Sequence, residues 1–76
     1  MRRLGTAVRA AGGVAVVRAP AGEDPPDLGT TVVDEDLTTV GRVVDVFGPV
    51  SRPFLAVSPA EGVDPATLLG DRLYAR

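Results

Sequence analysis

A chain of 76 residues with ten acids, eight arginines and a net charge of −2 has room for one domain and shows no basic excess. It contains no Cys, His, Lys, Asn, Gln, Ile or Trp. That excludes disulfides, thiolate and imidazole chemistry, Schiff-base lysines and the usual zinc ligands. Carboxylates, Arg, Tyr and hydroxyls remain, an alphabet that suits binding better than proton transfer.

Thirteen Val and seven Leu carry most of the apolar content, while nine Gly and seven Pro interrupt every long helical window. Val is β-branched and favours a pleated, half-buried surface. The expected fold is therefore all-β with five or six short strands, no internal repeat and no second domain. Leu4 to Arg9 alternates loosely and predicts a first strand with Leu4, Thr6 and Val8 on one face. Gly12-Gly13 marks a turn, and Val14 to Ala19 predicts the return strand of a hairpin. Ala21 to Leu28, with three acids and Pro25-Pro26, is a loop. Gly29 to Val33 is a short extended piece, followed by an acidic turn at Asp34-Glu35-Asp36.

Thr38 to Phe47 is the longest strand candidate. Its two alternating sets are Val40, Arg42, Val44, Val46 and Thr39, Gly41, Val43, Asp45, Phe47. Both are partly apolar, so periodicity does not choose an inner face. A strand apolar on both sides is expected to pack one side on its own core and the other on something else. Gly41 predicts a bulge or bend. Gly48-Pro49 breaks the strand, Phe54 to Ser58 resumes between Pro53 and Pro59, Ala66 to Leu69 is a helical turn ended by Gly70, and Arg72 to Ala75 closes the set. Closing such strands into a small barrel removes edges that invite aggregation.

The segment Val40-Gly41-Arg42-Val43-Val44-Asp45-Val46-Phe47-Gly48-Pro49-Val50, followed by Arg52-Pro53-Phe54-Leu55-Ala56-Val57, is physically a strand, a turn and a return strand. As a string it resembles the signature of the GAR family, the small β-barrel subunit of box H/ACA ribonucleoproteins. Arg3-Leu4-Gly5, Val32-Val33-Asp34 and Gly70-Asp71-Arg72-Leu73-Tyr74 also fall where that family has similar residues. The resemblance implies a single domain over residues 1–76. The implied fold is a six-stranded β-barrel similar to domain two of translation elongation factors. It further implies a non-catalytic accessory subunit that docks on the pseudouridine synthase of a guide-RNA particle. Such a subunit assists substrate RNA placement and product release in rRNA pseudouridylation. The glycine- and arginine-rich tails of eukaryotic members are absent from this sequence, so an archaeal, core-only form with only indirect contact to guide and substrate RNA is expected. The missing Lys, Ile and Asn suit a GC-rich genome and, with the acidic balance, a salt-loving archaeon.

Val44, Phe47, Gly48, Pro49, Val50, Pro53 and Phe54 are the candidate partner-binding residues, because a docking surface needs apolar and turn groups. The plainer reading of the two Phe is that they fill the barrel. Gly41, Asp45 and Val46 are taken as structural, with Asp45 expected to bond backbone N–H groups of the Gly48-Pro49 turn. Asp34, Glu35 and Asp36 lack the spacing of a calcium loop, so a solvated turn is expected and no metal or cofactor is predicted. The arginines are scattered, and only Arg2 and Arg3 are adjacent, so no clustered basic face is predicted. Arg42 and Arg52 flank the hairpin. No leader or membrane span is recognisable, which makes the cytoplasm the expected location. The alternative function is a small RNA-binding barrel acting independently; three aromatics and net negative charge argue against it.

Overall fold

The computed structural model describes residues 2–76. Six strands form a closed antiparallel barrel: β1 (Arg2–Ala11), β2 (Val14–Arg18), β3 (Thr31–Val33), β4 (Thr39–Phe47), β5 (Phe54–Pro59) and β6 (Arg72–Ala75). Around the wall the order is β1-β2-β5-β4-β3-β6. Each strand is a Val- or Leu-bearing run bounded by Gly, Pro or Asp, as the composition predicts. A short 3-10 turn (Pro65–Leu68) precedes β6, and Asp64 starts it by accepting the Ala66 N–H at 2.9 Å. Leu68 from this turn is buried among the interior residues.

The interior is filled by Leu4, Ala7, Ala15, Val17, Val32, Val40, Val43, Leu55, Val57 and Leu73, together with Ala19 and Leu68. No aromatic ring belongs to it: Phe47 is exposed and Phe54 only half-buried, so neither Phe is a barrel filler. The expected alternation fails in both long strands for the same reason. In β1, Ala7 pairs with Val17 and Arg9 with Val16, which leaves Val8 unpaired in a bulge. In β4, Val43 pairs with Val57 and Asp45 with Ala56, which leaves Val44 unpaired. A bulge adds one residue and reverses which set faces inward. The interior side of β1 is therefore Leu4 and Ala7, with Val8 turned out to 49% exposure, not the Leu4, Thr6, Val8 face predicted. In β4 the interior residues are Val40, Val43 and Val46, drawn from both alternating sets.

The two long strands are counterparts in a wider sense. Val40, like Leu4, is a second unpaired bulge residue, each lying just before a glycine. A Cβ on Gly5 would collide with the Arg18 carbonyl, and one on Gly41 with the Ser58 carbonyl. Ala7 exchanges two backbone hydrogen bonds with Gly70 and Asp71 at 2.9 and 3.1 Å. Val43 does the same with Gly29 and Thr30 at 2.7 and 3.0 Å. Thus β1-β2-β3 and β4-β5-β6 repeat one pairing pattern about an approximate internal twofold axis, a repeat not seen in the sequence. The third strand of each half is exchanged: β3 pairs with β4 and β6, and β6 with β1 and β3.

Candidate partner-binding surface

The outer wall carries a second apolar layer. Along β2, Ala15 and Val17 belong to the interior, and along β5, Leu55 and Val57 do. Strand alternation puts Val16 and Ala56, which pair with each other, on the opposite face. Both are nonetheless buried, at 6% and 8% exposure. The residues around them are Val8 and Val44, raised by the two bulges, and the Phe47–Phe54 cross-strand pair at the end of the β4–β5 hairpin. The two rings stack with centroids 5.7 Å apart and planes 23° from parallel. A groove of about 270 Å³ is lined by Val8, Arg9, Val16 and both rings. The Arg18 guanidinium lies 5.8 Å from the Phe54 centroid, on the strand position paired with it.

A second groove of about 270 Å³ lies on the other side of Phe47, between Pro25 and the signature turn. It is lined by Val46, Phe47, Gly48, Pro49, Val50 and Pro53, so most of the sequence-predicted residues meet there. Val50 is 99% exposed. The turn is fixed by the Arg52 N–H donating to the Pro49 carbonyl at 3.2 Å. It is tied to the segment after β2 by Ala19 N–H to Pro53 O at 3.1 Å and Gly22 N–H to Ser51 O at 3.3 Å. Pro53 is buried and contributes the floor of this groove, not its rim. Val44 stands 43% exposed on the same strand as Phe47.

One structural assignment changes. Asp45 does not bond the Gly48-Pro49 turn; its Oδ1 accepts the Val46 N–H at 2.8 Å, beside the Val44 bulge. Gly41 lies at the β3–β4 bulge in which Val40 is the extra residue, in line with the predicted bulge, and it also approaches Ser58 closely. Asp34 closes the acidic turn on itself, its Oδ1 accepting the N–H groups of Asp36 at 2.9 Å and Thr38 at 3.0 Å. Among the described residues no group of His, Cys, Asp or Glu is arranged to hold a metal ion.

The arginines are less scattered in space than in sequence. Arg3 from β1, Arg18 from β2 and Arg52 from the β4–β5 turn line one cleft of about 390 Å³, which borders the apolar wall at Val8. The signal was beyond reach of sequence spacing, because the three come from separate segments.

The described residues form a small closed barrel with a packed interior and a second apolar layer outside, and no helix among them is long and apolar enough to cross a membrane. Residues 1–76 match the family model described as the Gar1/Naf1 RNA binding region, and the chain belongs to that family. The family is an RNA-binding accessory family associated with H/ACA ribonucleoproteins. The chain is also similar to an uncharacterized protein of Methanothermobacter thermautotrophicus, 32% identical over 50 residues, covering 62% of this chain and 54% of that protein. It therefore spans about half the length of the curated relative it matches.

Proposed function

We propose that the chain is a non-catalytic subunit of an archaeal box H/ACA ribonucleoprotein that docks on the pseudouridine synthase through the outer wall around Phe47. In that role it assists placement of substrate RNA and release of product during rRNA pseudouridylation in the cytoplasm. The reading is carried by the apolar layer of Val8, Val16, Val44, Phe47, Ala56 and Phe54 outside a barrel whose interior is already full. In a monomer this layer leaves two rings and two valines in water; against a partner it becomes the desolvated centre of an interface. The exposed Gly48, Pro49 and Val50 extend it along the turn.

The test is co-purification with an archaeal pseudouridine synthase in the absence of RNA. A direct complex is expected. Phe47→Asp combined with Val44→Arg is expected to weaken it by about tenfold or more, since truncated or charged anchors at interface centres are typically worth over 1.4 kcal/mol. Both side chains lie outside the interior, so the double variant keeps the wild-type circular dichroism. Unaltered affinity moves the interface off this wall, and no complex at any salt removes the reading.

A further inference from the structure

The internal twofold supplies its own control for the arginine cleft. The cleft beside Gly5 and the one beside Gly41 occupy equivalent places in the two halves, with volumes of about 390 and 450 Å³. Equivalent positions hold Arg3 and Thr39, and Arg18 and Ser58. The Gly41 cleft carries one arginine, Arg42, and one acid, Glu61. The Gly5 cleft carries Arg3, Arg18 and Arg52 and is lined by no acid. The fold is thus satisfied by hydroxyls at two positions where the other half has guanidinium groups, so Arg3 and Arg18 are not a requirement of the barrel. Three like charges around one cleft repel each other unless an anion joins them. Two of the three are also held in place by their own contacts. Arg52 donates its Nε–H to the Ala19 carbonyl at 3.2 Å, which leaves its terminal nitrogens as donors. Arg18 lies against the Phe54 ring.

We infer that the Arg3–Arg18–Arg52 cleft is a phosphate-binding site that takes the sugar–phosphate backbone of single-stranded RNA directly, next to the protein-docking wall. Guanidinium forks match phosphate oxygens two at a time. The inference rests on the family's RNA-binding character and not on the identity of the protein partner. It replaces the expectation that RNA is met only through other subunits.

The test is a fluorescence-anisotropy titration of the chain with a short unstructured RNA from low to physiological salt, paired with an NMR titration of the wild type. Binding is expected to weaken with salt, by a slope of about 0.7 per phosphate neutralised. R3Q/R18Q is expected to lose about tenfold in affinity and to flatten that slope, while R42Q in the equivalent cleft stays near wild type. Amide shifts should centre on Gly5, Thr6, Arg18 and Arg52. Equal affinity of R3Q/R18Q and wild type, shifts centred elsewhere, or no salt-sensitive binding by the wild type overturns the site. If R3Q/R18Q instead keeps RNA binding but loses the synthase complex, the cleft holds protein carboxylates and the phosphate assignment falls. An intact synthase complex beside unchanged RNA binding rejects the cleft and leaves the docking reading standing. Weakened RNA binding by R3Q/R18Q beside a wild type that forms no synthase complex rejects the docking reading alone.

Discussion

One hydrogen atom at Gly41 decides how closely β4 and β5 can cross. Any Cβ there would sit on the Ser58 carbonyl and 3.0 Å from the Val57 Cγ1, both parts of a rigid wall. Gly41→Ala is therefore expected to lower stability by about 2 kcal/mol or more, through overpacking against backbone that cannot give. Urea unfolding measures it as a lower midpoint at constant slope; an unchanged midpoint refutes the close-approach account. The sequence marks Gly41 as a bulge or bend, which the register bears out, but the close approach to Ser58 has no sequence spacing to betray it. Asp45 is misread for a related reason. Its carboxylate bonds the Val46 N–H of its own strand, beside the bulge at Val44, and a bulge is invisible until the register is known.

The strands themselves were legible, since runs of Val and Leu between Gly and Pro leave little other choice. Their facing was not. Alternation assumes one residue opposite another, and four bulge residues (Leu4, Val8, Val40 and Val44) break that assumption. Two of these bulges make the outer apolar wall, because they turn Val8 and Val44 outward from strands whose Leu4, Ala7, Val40, Val43 and Val46 face in. Deleting Val44 removes the extra residue and shifts either Val46 or Val43 off the interior side, whereas Val44→Ala only trims a 43% exposed side chain. The deletion is expected to unfold the domain, and the substitution to change stability by less than about 1 kcal/mol. Thermal denaturation followed by circular dichroism distinguishes them. A folded deletion variant would mean that the bulge is not what sets the register. The apolar wall was partly legible, because Phe47, Val50 and Phe54 stand in the signature string. Val8 and Val16 lie far from that string and enter the wall only through the fold.

Exchange of the third strand ties the two halves into one cooperative unit. β3 has no partner within its own half, and neither does β6. Fragments 1–36 and 37–76 are each left as a two-stranded hairpin plus an unpaired strand, and an isolated hairpin is marginal in water. Each fragment alone is expected to be unfolded by circular dichroism, and an equimolar mixture to regain the spectrum of the barrel. A fragment that folds alone as a monomer would show that the halves are independent. The closed barrel was legible from the need to remove strand edges and, in its strand number, from the family resemblance, since composition alone reaches short strands and no further. The clustering of Arg3, Arg18 and Arg52 belongs to the same scale, as it exists only once the wall has closed.

Pairing of Arg2 with Ala75 brings the two ends of the barrel side by side on neighbouring strands. Together with the twofold repeat, this means that the barrel has no structural beginning. A short linker between the ends, with a new opening in the Asp34–Asp36 turn, yields the order β4-β5-β6-β1-β2-β3, in which the halves simply trade names. Such a circular permutant keeps every strand pair, the apolar wall and the arginine cleft, and it frees the rim beside Arg2 from chain ends. The position of the ends is thus a choice separable from the fold, and labels or tethers can be attached at either opening without crossing the docking wall.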